Sequence, residues 1–447
     1  METGKRKWIC AQLGAREHYA VARALHRNGA LQGLFTDAWV RPGNPLGLIK
    51  KSLRERYHSE LADATVHSAN VSLLAFEAWA TLKALQGWNR IMARNEWFQK
   101  QVVRKLQKLK TEKLKAEGGG RKTEDGTTFN LQHSTCNSQP TIFAYSYAAR
   151  DIFRWARAQG WKTVLGQIDA GLPEERLVAR LHDENPTQRH NWQPAPAEYW
   201  ADWREECELA DCIVVNSDWA RRALLKQGVP AEKLAIIPLC YEPNAETLKT
   251  EMLKLDGISA CQNVSLSAFS PLRVLFLGQV ILRKGIQYLV EAAKLLENEP
   301  VHFDVVGPIG ISEAAIKSAP ANMKFHGRAN RDEAAGWYAR SDVFVLPTIS
   351  DGFAITQIEA MAHGLPVIAT PNCGEVVSDG VDGFIIPPRD AMALAKAIRR
   401  YLSEPELLRS QRGAALAKSK QFTLDKLSGR LLALEADLCE KAEKPKC

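Results

Sequence analysis

Short apolar runs rich in β-branched residues recur along the chain, and stretches with helical spacing of their apolar residues lie between them. WICAQL (8–13), ALQGLFT, TIFAYS, KTVLGQI, CIVVNS and LAIIPL form one series. LRVLFLG, VHFDVVG, KFHG, DVFVLP, PVIAT and GFIIP form a second. This alternation is the pattern of βαβ units and parallel sheets, so the sequence predicts an α/β protein. At 447 residues the chain exceeds what one core usually serves, which points to two large doubly wound domains. Polar residues 243–270 separate the two series. The expected division is a first domain over 1–240, a linker or polar insertion over 241–271, a second domain over 272–420, and a closing amphipathic helix over 421–447. Within the first domain, EHYAVARALHRNG predicts a helix ending at Gly29. Residues 70–115 read as helical, with Trp79, Trp88 and Trp97 nine apart on one or neighbouring faces as core or groove lining. Residues 116–140 read as a mobile loop.

Composition narrows the function classes. Hydrophobic residues make up 45% and charged residues 25%, a globular balance. No apolar run reaches the roughly 20 residues of a membrane span. The N-terminal METGKRKWICAQLGAR lacks a continuous apolar stretch, so no signal peptide is expected. The nine cysteines are scattered, and Cys207 and Cys212 have no second pair to complete a zinc site. The expectation is reduced thiols in a cytoplasmic protein. Of the net charge of +8, residues 98–122 hold nine Lys/Arg and two Glu, a local +7. The remainder is nearly neutral, which argues against a nucleic-acid partner. Within that segment Phe98, Val102, Val103, Leu106, Leu109 and Leu114 recur at helical spacing between cations. Two readings stand: a packed helix with a solvated basic face, or a helix lying on an anionic membrane surface. The second would make the protein peripheral to a membrane.

Ligands of open α/β sheets bind beyond the carboxyl ends of strands. Three turns of the second series are candidates. LFLGQVILRKG supplies Gly278, Gln279, Arg283, Lys284 and Gly285; DVVGPIG supplies Gly307 and Gly310; DVFVLPTISDGFAITQIEA supplies Asp351, Gly352, Phe353, Ala354, Ile355 and Glu359. Glycines let backbone approach a ligand, and helix-start amides favour phosphate. Gly352, Phe353 and Ala354 are expected to present free amides there, and Glu359 to sit among apolar neighbours. A carboxylate in such surroundings needs partners. Adjacent sugar hydroxyls supply them. Alone, Asp351 reads as a cap and Glu359 as a surface acid. Together the stretch reads as a nucleotide-sugar site: phosphate at the amides, ribose at Glu359, a hexose near Asp351.

The stretch EAMAHGLPVIA (359–369), with acids eight apart at Asp351 and Glu359, resembles family 4 of the glycosyltransferases, which have the GT-B fold. GEVVSDGVDGFIIPPRD (374–390) approximates that family's Gly- and Glu-bearing pattern, and GQVILRKG (278–285) occupies its phosphate-binding turn. The resemblance covers about residues 272–420 and is weaker before 240, where ELADCIVVNSDWARRALLKQG (208–228) is most similar. It implies two Rossmann-like domains facing across a cleft, with the C-terminal helix closing back on the first. It implies a retaining hexosyltransferase that moves sugar from a UDP- or GDP-sugar to an acceptor hydroxyl, in glycolipid, polysaccharide or glycoconjugate synthesis. Lys284 would then contact the diphosphate, Glu359 the ribose and Asp351 the donor sugar. Gln279 replaces the family's usual arginine, a loss for which Arg283 is a candidate compensation. Asp351 replaces the usual Glu. No Asp-x-Asp is present, and neither metal nor other cofactor is expected. The acceptor, a sugar, a lipid-linked molecule or a small molecule, would bind the first domain, where Arg16, His18, Tyr145 and Asp169 are candidates; Gly14 would face the donor phosphates from across the cleft, and Asp351, Lys284 and Asp169 would be the catalytic groups. The competing readings are a non-catalytic GT-B scaffold and a GT-B epimerase or phosphorylase.

Overall fold

The computed structural model describes residues 7–49, 53, 56–118, 139–188, 192–243 and 271–443. The expected mobile loop at 116–140 and the polar gap at 243–270 fall almost wholly outside the described residues. Each series of apolar runs forms its own parallel sheet. The first contains β1 (Trp8–Gln12), β2 (Leu31–Thr36), β3 (Val66–Ser68), β4 (Thr141–Tyr145), β5 (Lys162–Gly166), β6 (Cys212–Val215) and β7 (Leu234–Ile236), in the order β3-β2-β1-β4-β5-β6-β7. The second contains β8 (Leu272–Leu277), β9 (Val301–Val306), β10 (Met323–Gly327), β11 (Val343–Leu346), β12 (Val367–Ala369) and β13 (Gly383–Ile385), in the order β10-β9-β8-β11-β12-β13. Strand order reverses between β1 and β4 and between β8 and β11. Crevices open at such switch points.

Central strands such as β1 and β4 are buried throughout, as helices on both faces require. The helix Leu424–Glu443 crosses back to the first sheet. Its Leu424, Leu427, Leu431, Leu434 and Leu438 repeat at three- and four-residue steps and pack with Trp8, Tyr19 and Leu25. Asn28 and Ser428 pin the same contact by a hydrogen bond.

Three local expectations are corrected. The helix after β1 begins at Ala20, because Glu17, His18 and Tyr19 form a left-handed turn with φ of 50°, 51° and 60°. Such a conformation costs L-residues about 1–2 kcal/mol each. Here the Tyr145 hydroxyl donates to Glu17 and the Tyr19 ring packs edge-on against Trp39. Residues 70–115 are two helices, Asn70–Leu82 and Gly87–Gly118, broken where Ala84 takes a φ of 51°. The three tryptophans are not on one face: Trp79 and Trp97 both pack against Phe76, with Trp79 partly exposed, while Trp88 reaches the Gln193 carbonyl and lines the cleft cavity. The basic helix buries Phe98, Val102 and Leu106 in the first core, and Val103 and Leu109 pack against it. That apolar face is spent on folding, so only the cationic face of the helix is left for a membrane surface. Leu114 lies outside the residues whose side chains are described. Among the described residues no helix is long and apolar enough to cross a membrane.

Candidate active site

The turns at the carboxyl ends of the two sheets meet. After β8, the turn 281–285 is stitched to the turn after β11: the Ile349 amide and the Thr348 hydroxyl both donate to the Arg283 carbonyl. Gly285 permits this. Its φ is +77°, and a Cβ there would lie 1.8 Å from the Pro347 carbonyl oxygen. The stitched turns bring Lys284 against Asp351 as a partly buried ion pair. Burial and the neighbouring Arg283 guanidinium push the Lys284 ammonium down to about 7, against the opposing charge of Glu174.

Arg283 points elsewhere. Its guanidinium pairs with Glu174 of the first domain at 3.2 Å and donates to the Ser350 carbonyl at 2.9 Å. The Ser350 hydroxyl donates to the other Glu174 oxygen at 2.6 Å. Burial holds the Glu174 carboxyl above the usual range, although Arg283 opposes the shift. Arg283 is therefore engaged across the cleft, which removes it as a ready substitute for the arginine absent at exposed Gln279. The same seam includes the Ser217 hydroxyl donating to the Gly352 carbonyl and the Trp219 indole donating to Ser350. Gly352 is the tightest approach, since a Cβ there would lie 2.8 Å from the Ile168 carbonyl oxygen and 2.9 Å from the Asp169 Cα.

The helix carrying Glu359 spans Ile355–Ala362, and no side chain caps its start. Two details correct the sequence reading. Ala354, not Asp351, is the N-cap residue, and the Ala354 amide already donates to the Cys373 carbonyl. Among the described residues the amides of Gly352 and Phe353 donate to no backbone carbonyl, and Ile355 opens the helical turn. Glu359 is half-buried and accepts the Tyr338 hydroxyl at 2.8 Å. Burial, reinforced by the Glu359 charge, raises the Tyr338 pKa well above its ordinary value, so the phenol stays a donor. Gly278 and Gly307 follow β8 and β9 side by side, the Cβ position of Gly307 falling on the Gly278 carbonyl.

The first domain supplies the opposite wall. Asp169, after β5, accepts the Tyr147 hydroxyl, the Gln167 amide and the Gly171 N–H on one oxygen. It lines a cavity of about 340 Å³ with Tyr147, Glu174, Tyr199 and Trp88, closed from the second domain by Ile281, Arg283 and Gly310. Tyr147 and Tyr199 stack at 4.6 Å. Glu206 sets this wall, receiving the amides of Tyr147, Ala149 and Arg150. Gly14 follows β1 at the switch point, but its amide already donates to buried Asp37, beside Arg56 and Arg94. His18 lies in the left-handed turn, Tyr145 is tied to Glu17, and Arg16 stands over the Tyr145 ring. None of these is a member of the cluster around Lys284 and Asp351.

The sequence reading missed Glu174, Ser350 and Tyr338. Glu174 had a signal, since LPEERLVARLHDE opens a helix directly after the DAG turn of β5. Nothing local marked Tyr338 as the partner of Glu359.

Residues 271–404 match the family model described as glycosyl transferases group 1. AmsK, the amylovoran biosynthesis glycosyltransferase of Erwinia amylovora, is 29% identical over 210 residues, which cover 43% of this chain and 47% of that protein. The chain spans about half the length of such curated relatives. Among solved structures, sucrose-phosphate synthase from Thermosynechococcus elongatus superposes with a TM-score of 0.58 at 18% identity, covering 98% of this chain and 100% of that one. Anabaena HepE, solved with UDP-glucose, gives a TM-score of 0.57 at 14% identity, covering 96% and 99%. The chain thus has the GT-B fold, and residues 271–404 are a group 1 glycosyltransferase domain.

Proposed function

We propose that the protein is a glycosyltransferase that moves a sugar from a nucleotide-sugar donor to an acceptor hydroxyl in polysaccharide or glycoconjugate synthesis, with retention at the anomeric carbon. The observation that carries this reading is the meeting of Lys284, Asp351 and Gly352 with Asp169 at the carboxyl ends of both sheets. The donor diphosphate would take the Lys284 ammonium and the amides of Gly352 and Phe353. Asp351, released from Lys284, would then accept hydroxyls of the transferred sugar. Glu359, aimed by Tyr338, would accept ribose hydroxyls.

In the reaction the bond between the anomeric carbon and the diphosphate oxygen breaks, and the acceptor oxygen bonds the same carbon from the same face. Charge develops on the leaving diphosphate, where a fixed ammonium and amides in a water-poor site act most strongly. The leaving phosphate oxygen takes the acceptor proton, so Asp169 need only orient the acceptor. The cavity beside it suits a sugar ring: stacked Tyr147 and Tyr199 offer an aromatic wall, and carboxylates accept hydroxyls. No metal is required, because Lys284 and the amides meet the diphosphate charge. A UDP-sugar is the first donor to try, given the UDP-glucose complex of HepE.

The test is a thermal-shift screen of UDP- and GDP-sugars, followed by hydrolysis of the stabilising donor without acceptor. A ligand at 100 times its dissociation constant adds about 2.7 kcal/mol. Stabilisation by a nucleotide sugar with slow release of free sugar is expected. Stabilisation by none of them sinks the reading, and binding without any turnover favours a nucleotide-binding scaffold.

A further inference from the structure

We propose that a recess at the β3 edge of the first sheet binds a phosphate-bearing group, at a site separate from the donor cleft. The recess has a volume of about 640 Å³. It lies between β2, β3 and the basic helix Gly87–Gly118. The two halves meet at the ends of β5 and β6, and β3 is four strand steps from β5, roughly 19 Å at the usual spacing.

Charge is the first argument. Arg104, Lys105 and Lys108 line the recess, and among the described residues no Asp or Glu does. Lys105 and Arg104 form no ion pair among the described residues. Lys108 reaches Glu112 at 3.7 Å, with both side chains more than half exposed, an interaction worth little in water. Folding has therefore gathered three cations around one hollow without matching acids, which like-charge repulsion disfavours unless an anion is to be held. Lys110 of the same helix is instead tied to Gln159 on another side.

Shape is the second argument. The first turn of the helix Asn70–Leu82 forms one wall, and no side chain caps it. The Asn70 side chain is engaged with the Trp39 backbone instead. Ammonium and guanidinium groups around one hollow fit the several acceptor oxygens of a phosphate. The phosphate can belong to a soluble phosphorylated molecule or to a lipid headgroup. A headgroup would be gripped by the cations alone, because the apolar face of the helix is already buried.

The test uses the full chain carrying Lys284→Ala, so that the donor cleft is blunted. Calorimetry at low ionic strength measures pyrophosphate binding, with and without Lys105→Gln and Lys108→Gln. The double substitution should weaken binding at least about tenfold, the usual consequence of losing charged hydrogen bonds. Replacement of both by Arg should keep most of the affinity. Sedimentation with phosphatidylcholine vesicles, with and without phosphatidylglycerol, separates the sources. Capture by the anionic vesicles, reversed by pyrophosphate, assigns the phosphate to a headgroup. Pyrophosphate binding without capture assigns it to a soluble molecule. Neutralising the two lysines relieves repulsion, so thermal unfolding should be unchanged or slightly raised, and Arg104→Gln is a second variant should the double one unfold. The proposal is overturned if folded variants bind pyrophosphate and vesicles as the parent does, or if the parent binds neither.

Discussion

Replacing Glu359 by alanine should weaken the nucleoside diphosphate and the nucleotide sugar equally, because ribose is common to both. An ionised carboxylate accepts at about four positions, and the Tyr338 hydroxyl donates to it at 2.8 Å. In the ribose reading both vicinal hydroxyls donate to the same carboxylate. A hydrogen bond to a charged group contributes about 1.5–3 kcal/mol net. Two on one carboxylate are not additive, so a combined loss of about 3 kcal/mol, on the order of 150-fold in affinity, is expected. Tyr338→Phe keeps the carboxylate and removes only its clamp, so it should cost a few-fold at most. Asp351→Ala should impair the sugar nucleotide more than the diphosphate. Calorimetry with UDP and UDP-glucose, then with the GDP pair, reads all three variants. A folded Glu359→Ala protein that binds the nucleoside diphosphate as tightly as the parent would refute the ribose assignment.

Four further outcomes are expected. The unliganded Lys284 titrates near 7, and only its charged form holds the diphosphate; affinity should therefore fall above pH 7, by up to about tenfold per unit, stay flat in Lys284→Arg, and begin falling at lower pH in Asp351→Asn, as calorimetry across pH would show. Activity should survive excess EDTA; complete loss restored by magnesium or manganese would mean that an ion holds the diphosphate. Gly352→Ala places a methyl 2.8 Å from the Ile168 carbonyl and should lower kcat while leaving diphosphate affinity within about threefold, because it wedges the halves apart and spares the phosphate cradle. Leu431→Ala, fully buried where the last helix meets the first sheet, should cost about 2–5 kcal/mol in denaturant unfolding, and a negligible change would mean that this helix is not part of the cooperative core.

The strands were legible because each is a short apolar run, and a parallel strand covered on both faces has no other way to be written. β3 escaped notice for the opposite reason. VHS is three residues long, incompletely buried and at the sheet edge, and carries no pattern of its own. The breaks at Ala84 and at Glu17 to Tyr19 were equally hidden. Left-handed backbone at non-glycine residues is imposed by neighbours such as Tyr145 and Trp39, which a local reading cannot see.

The cleft shows the same division. Asp351 and Glu359 could be singled out because eight residues of one turn and helix fix their spacing. The partners that define their chemistry come from far along the chain: Lys284 is 67 residues from Asp351, Tyr338 is 21 from Glu359, and Glu174 is 176 from Ser350. Arg283 makes the point most sharply. Next to Lys284 it reads as a spare phosphate ligand, yet folding aims the two neighbours in different directions, Lys284 at Asp351 and Arg283 across the cleft at Glu174. Adjacent residues of a helical turn point about 100° apart, so neighbours can take different partners. The same geometry sorts the basic helix, sending Lys105 and Lys108 to the recess and Lys110 to Gln159. Charge in a sequence states how many cations exist; the periodicity of the element that carries them decides which of them can meet one anion.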